Sequence, residues 1–137
     1  MEGNAWLIVP TYNEADNVAP LVEAARAVLA ESLPGAFRIL VVDDDSPDGT
    51  GLIADRLATE HDDVEVLHRS GREGLGPAYV AGFRRALAAG ATRVLEMDAD
   101  FSHDPADLPR LLAAVDAGAD LALGSRYTGG GRVEDWG

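Results

Sequence analysis

The sequence predicts an α/β domain built on a mostly parallel sheet. Short apolar, β-rich runs alternate with longer segments of helical period, and that alternation generates strand–helix–strand units whose strands run side by side in one direction. The length, 137 residues, suits one such domain, large enough to bury about two thirds of the surface its unfolded chain exposes.

Strands are expected at residues 5–9, 37–43, 64–67, 93–98 and 120–124. The first helix follows Asp16, with Val18, Leu21, Val22, Ala25, Val28 and Leu29 on one stripe. A second is expected over residues 50–61, and a third over 76–89 with Tyr79, Phe83 and Leu87 facing inward. The last starts with Asp104 as N-cap and Pro105 at the first helical position, buries Leu108, Leu111, Leu112 and Val115, and stops at Gly118. From Thr128 the texture changes to "TGGGRVEDWG", glycine-rich and poor in apolar residues. The expected division is a domain over residues 1–127 and a flexible tail over 128–137 that marks the truncation point of a longer catalytic domain.

Composition excludes several functional classes. Cysteine is absent, which removes disulfides and thiolate-ligated zinc. A net charge of -13 argues against a nucleic-acid partner, whose backbone demands a basic face. Anionic lipid is repelled on average as well, unless basic groups outside this chain do the docking. No apolar run approaches the roughly 18 residues that span a bilayer, and the first ten residues do not read as a signal peptide. All 11 basic residues are arginine. Without lysine, neither a phosphate-binding P-loop nor a phosphorelay receiver is possible. "GREGLGPAYVAG" lacks the third glycine of a dinucleotide fingerprint and does not follow the first strand.

In a parallel α/β sheet, ligands sit at the carboxyl ends of the strands. Four polar clusters fall there: "PTYNE", "DDDSPDGT", "DADFSHDP" and "GSRY". Asp43, Asp44, Asp98 and Asp100 would repel one another if left bare, and a divalent cation or a hydrogen-bonding ligand removes that cost. An all-oxygen ligand set selects Mg²⁺ or Mn²⁺. Residues two apart on a strand stand about 6.6 Å apart, whereas metal–oxygen bonds are about 2.1 Å. Asp98 and Asp100 can therefore share one ion only if the chain bends. Asp100 is expected to bind it directly, with Asp98 acting through water or on a sugar hydroxyl. A metal held by so few carboxylates completes its shell with water and substrate phosphate, which favours a diphosphate ligand. Arg126 is the matching cation, and His103 reads as a polar loop residue.

Together "VPTYNE", "VVDDDSPDGT", "GLGPAYVAGF", "MDADFSHDP" and "GSRYTGGG" resemble the inverting nucleotide-sugar glycosyltransferases of GT-A fold, and more narrowly the dolichol-phosphate (polyprenol-phosphate) mannosyltransferases. The resemblance covers essentially the whole chain. It implies a Rossmann-like sheet flanked by helices that binds a nucleotide-diphospho-sugar. Pro10, Tyr12 and Glu14 match the loop that holds the nucleoside, and Val42 and Asp44 match residues that meet the guanine base. Asp98, Ala99 and Asp100 match the DxD motif, with Ser102 where the family can add a further oxygen to the metal shell. Asp98 and Asp100 are thus the implied metal residues, and Asp100 and Arg126 the implied catalytic ones.

The implied reaction is transfer of mannose from GDP-mannose to a polyprenyl phosphate with inversion, in the presence of Mg²⁺ or Mn²⁺. The alternatives are a sister enzyme using a UDP-glucose-type donor, or a donor-binding fragment without turnover. The expected place is the cytoplasmic face of the membrane, with peripheral attachment through regions outside this chain. The family continues well beyond "GSRYTGGG", into a region that supplies much of the acceptor site.

Overall fold

The computed structural model describes residues 4–71 and 74–116, together with the backbone of three short strands beyond them. Strand β1 (Ala5–Thr11) is followed by α1 (Val18–Ser32), β2 (Phe37–Asp43), α2 (Thr50–Glu60), β3 (Val64–His68), α3 (Leu75–Ala88) and β4 (Arg93–Glu96). A single 3-10 turn (Pro105–Asp107) leads into α4 (Leu108–Asp116), and β5 (Ala122–Leu123) completes the sheet. Strands β6 (Tyr127–Thr128) and β7 (Arg132–Val133) pair antiparallel by themselves. The rest of 128–137 lies outside the described residues, as does Gly118, the expected stop of the last helix.

The main sheet has the order β3-β2-β1-β4-β5 and is parallel throughout, as the alternating pattern predicts. The chain winds outward from β1 through β2 to β3, then returns to the other side of β1 for β4 and β5. The carboxyl ends of β1 and β4 therefore flank the topological switch point, where such sheets bind ligands.

Every residue of β1 is buried, as a central strand covered on both faces requires. Its side chains alternate between two cores. Leu7 and Val9 join Ile39, Val41 and Leu95 beneath α1, α2 and α4. Trp6 and Ile8 join Leu40, Val42 and Val94 beneath α3.

Helix α3 comes unusually close to the sheet. A methyl group added at Gly82 would lie 2.7 Å from Ile8 Cγ2 and 3.0 Å from Val42 Cγ2. The line of closest approach runs through the small residues Ala78, Gly82 and Ala86, with Tyr79 buried beside it. This corrects the expected inward face. Phe83 is partly buried, but Leu87 is 53% exposed. The pattern of large apolar residues pointed to a face rotated from the true contact line, because here small size rather than hydrophobicity sets the approach.

Two termini matter for the site. Asp104 caps the turn that starts the last helix, its carboxylate accepting from Ala106 N at 2.9 Å with Pro105 in the first position, as expected. Strand β4, by contrast, stops at Glu96 and not at 98. Met97 N still donates to Ile8 O at 3.0 Å, and the chain then leaves the sheet. Asp98 and Asp100 thus stand in irregular backbone.

Candidate functional site

A cleft of about 250 Å³ opens at the carboxyl ends of β1, β2 and β4. Pro10, Thr11, Tyr12 and Glu14 line one part, Asp44 its floor on the β2 side, and Asp98, Ala99 and Asp100 the β4 side. Gly74 and Ala78 bring the first turn of α3 to its wall. Of the expected donor residues, Pro10, Tyr12, Glu14, Asp44, Asp98, Ala99 and Asp100 are brought together here. Val42 is not: its side chain is fully buried in the core, covered by α3 where Gly82 rests on it. Arg126 lies outside the described residues.

The "DDDSPDGT" stretch divides into structural and cleft-facing parts. Asp43, only 2% exposed, is a hub inside the protein. Its Oδ1 accepts from the Thr11 and Ser46 hydroxyls, each at 2.7 Å, and its Oδ2 from Ser46 N at 3.0 Å. It therefore needs no cation, contrary to its inclusion among the mutually repelling acids. Ser46 Oγ in turn accepts from Asn13 N at 2.9 Å. Thr50 Oγ1 accepts from Glu14 N at 3.0 Å, and Asp48 Oδ2 from Ala15 N at 3.1 Å. The Thr50 hydroxyl and N–H both donate to Asp48 Oδ1, and the hydroxyl bond, ahead of the backbone ones, holds the Asp48 carboxyl below the usual range. Ser46, Asp48 and Thr50 thus pin three successive residues of the loop after β1. Asn13 and Asp45 take left-handed backbone at φ 57 and 58, a conformation Asn and Asp tolerate better than most residues.

Asp44 is 4% exposed and accepts from Arg69 Nη1 at 2.7 Å, while Arg69 N donates to Asp43 O at 2.8 Å. The guanidinium gives this buried carboxylate a charged hydrogen-bond donor at close range. Sequence reasoning missed Arg69. Its available signal was position: it directly follows β3, the neighbour of β2, so its backbone ends on the same rim.

Asp98 Oδ1 accepts from the Tyr79 hydroxyl at 2.8 Å. Asp100 Oδ1 accepts from Ser102 N at 2.9 Å, and the Ser102 hydroxyl is the main reason the Asp100 carboxyl lies below the usual carboxylate range. The chain turns at Ala99 and Asp100, a bend of the kind that shared coordination by Asp98 and Asp100 demands. Phe101, directly after it, takes φ 60, left-handed backbone that costs a bulky residue on the order of 1–3 kcal/mol. Ser102 lies against Asp100 as its donor, and a hydroxyl that donates keeps lone pairs to offer a cation.

A second missed residue is Glu96, the last of β4. It is 2% exposed, its Oε2 has no hydrogen-bond partner among the described residues, and burial, reinforced by the Asp98 charge, pushes its carboxyl up to about 8. An acid inside an otherwise apolar strand was the available signal.

Among the described residues, no three acidic or imidazole side chains converge as a ready-made cation cage. Asp98 and Asp100 are two hard oxygen donors, one of them held ionised. They fit a Mg²⁺ or Mn²⁺ ion that takes the rest of its shell from water and a bound phosphate.

The glycosyl transferase family 2 profile matches residues 6–137. The chain belongs to glycosyl transferase family 2. This family 2 domain is 52% identical over 131 residues to the polyprenol monophosphomannose synthase of Mycolicibacterium smegmatis, covering 95% of this chain and 48% of that protein. It is 50% identical over 129 residues to the undecaprenyl-phosphate mannosyltransferase of Micrococcus luteus, covering 94% and 51%. The chain therefore spans about half the length of these curated relatives.

Among solved structures it resembles the mannosyltransferase PcManGT from Pyrobaculum calidifontis, in complex with GDP-Man and Mn²⁺, with a TM-score of 0.66 at 28% identity over 82% of this chain and 31% of that one. It also resembles S. aureus TarS in complex with UDP-GlcNAc, with a TM-score of 0.60 at 27% identity over 83% and 31%. The GT-A fold expected from the sequence is the fold of the domain. Among the described residues, no helix is long and apolar enough to cross a membrane.

Proposed function

We propose that this family 2 domain binds GDP-mannose and, in the whole protein, transfers mannose to a polyprenyl phosphate with inversion at the anomeric carbon. The observation that carries the reading is the cleft itself. It brings a buried, guanidinium-paired carboxylate, Asp44, into one cleft with Asp98 and Asp100, which flank a turn at the switch point of the sheet. The mannosyltransferase relatives and the GDP-Man and Mn²⁺ of the P. calidifontis complex support the choice of donor.

In this reading Asp44 accepts hydrogen bonds from the guanine N–H groups, and the loop of Pro10, Tyr12 and Glu14, pinned by Ser46, Asp48 and Thr50, holds the nucleoside. Asp98 and Asp100 hold a divalent cation, Mg²⁺ or Mn²⁺, together with the donor. When bound, that cation neutralises the diphosphate and stabilises GDP as the leaving group. Arg126 supplies a further positive charge to the diphosphate. The attacking group is an acceptor phosphate oxygen, already ionised at neutral pH, so no side chain has to remove a proton. What this chain contributes is orientation and electrostatic stabilisation. Attachment to the cytoplasmic membrane face is assigned to parts of the protein outside these residues, since a net charge of -13 repels anionic lipid.

Titration calorimetry with GDP-mannose and UDP-glucose, each with and without Mn²⁺, tests the assignment. Tighter, metal-dependent binding of GDP-mannose is expected. Metal-independent binding, or a preference for UDP-glucose, would overturn it.

A further inference from the structure

Asp98 lies just past the last ladder bond of β4, so the sheet no longer holds it. What meets its carboxylate is the Tyr79 hydroxyl, at 2.8 Å on Oδ1. Tyr79 is itself buried, and it stands on a helix whose height above the sheet is set by the contact of Gly82 with Ile8 and Val42. The phenol is thus fixed by core packing and not by the loop it serves. Glu96, two residues earlier, is buried, and its Oε2 has no hydrogen-bond partner among the described residues.

A tyrosine at this place has two readings. The bond could merely satisfy a buried phenol, which would make it a stability feature. Yet a buried phenol can be satisfied by many acceptors, and here it selects one of the two carboxylates that face the cleft. A hydrogen bond to an ionised acceptor is also about twice as strong as a neutral one and is strongly directional.

We propose that Tyr79 is a positioning residue of the donor site: its hydroxyl locks Asp98 in one orientation, so that Oδ2 is presented to the cation and the donor alongside Asp100. Helix α3 then contributes to the site twice, through the cleft wall at Gly74 and Ala78 and through this bond. The inference rests on the donor-site reading above and concerns how that site is held in shape before a ligand arrives.

The test is calorimetric binding of GDP-mannose, UDP-glucose and GDP, each with Mn²⁺, to the wild type, Tyr79→Phe, Asp98→Asn and the double variant, with a thermal melt of each. Tyr79→Phe is expected to weaken binding of whichever nucleotide binds by about tenfold, equal to ~1.4 kcal/mol, while its Tm falls by no more than a few degrees. In the Asp98→Asn background the same substitution is expected to add little, because the two residues act as one unit. Unchanged affinity in Tyr79→Phe, or losses that simply add in the double variant, would overturn the proposal. A preference for UDP-glucose would overturn the choice of donor instead, and the Tyr79 effect would still be read on the nucleotide that binds.

Discussion

Arg69 Nη1 stands 2.7 Å from Asp44 Oδ1, and both side chains are largely withdrawn from solvent, with 14% and 5% of their side-chain surface exposed. A pair so placed contributes little net stability, but breaking it is costly because it leaves a buried charge behind. Arg69→Met is therefore expected to lower the unfolding free energy by about 3 kcal/mol and to weaken donor binding. Replacing both residues, as Arg69→Met with Asp44→Leu, should recover much of the stability and none of the binding. Urea melts beside calorimetry check both parts.

The pinning of the first loop is expected to matter more to the site than to the fold. Asp48→Ala removes the acceptor of Ala15 N and of Thr50, on the protein surface. A loss of about 1 kcal/mol in stability is expected, with a larger proportional loss in donor affinity. Limited proteolysis in the 12–17 segment, faster in the variant than in the wild type, would report the released loop.

Gly82 offers a test of the packing that places α3. The β-carbon of Gly82→Ala would meet Ile8 Cγ2 at 2.7 Å, so either the helix lifts or the core side chains leave their preferred positions. Overpacking of this kind costs about 1–3 kcal/mol, which outweighs the alanine's gain of roughly 0.5–1 kcal/mol in helix propensity. A Tm below that of the wild type is the expected result.

Glu96 carries a pH dependence whose sign follows from its raised carboxyl. Its ordinary value is 4.5 and its folded value about 8. The folded state therefore holds this proton more tightly than the unfolded chain. The stability this gives is present in full below the unfolded value, and is lost as pH rises through the folded one. Glu96→Gln keeps a neutral side chain of the same shape throughout. It should match the wild type near pH 4.5 and exceed it at pH 9 by a few kcal/mol, measured as denaturant midpoints across that range. Curves that stay parallel would contradict this assignment.

Asp100 is expected to be needed for the ligand and not for the fold. Among the described residues its carboxylate accepts from Ser102, two residues on, at the surface. Asp100→Ala should abolish the Mn²⁺ dependence of donor binding while shifting the Tm by less than a few degrees. Unchanged metal-dependent affinity would show that the cation is held elsewhere.

Much of this was legible in the chain because the relevant signals are local. Apolar runs alternating with helical periods determined a parallel α/β sheet, and a parallel sheet directs function to the carboxyl ends of its strands. Asp104 followed by Pro105 marked a helix start, since a cap needs only its own neighbours. The acids after β2 and β4 were identifiable as candidates by residue type and place.

The tertiary structure decided which partner each acid has. Asp43 and Asp44 are adjacent in sequence and alike in type, yet one is satisfied by Thr11 and Ser46 while the other faces the cleft and pairs with Arg69. By periodicity Tyr79 is one more inward aromatic, but α3 rests on Gly82, and that approach carries the phenol to Asp98. Leu87 read as core and is exposed, and Glu96 passed as part of an apolar strand although its burial changes its protonation. Apart from the short-range bond of Ser46 to Asp43, each of these depends on partners distant in the chain or on how closely two elements approach. Residue type and periodicity carry the local pattern, whereas the pairing of a side chain is set by distances that exist only once the sheet and its helices are packed.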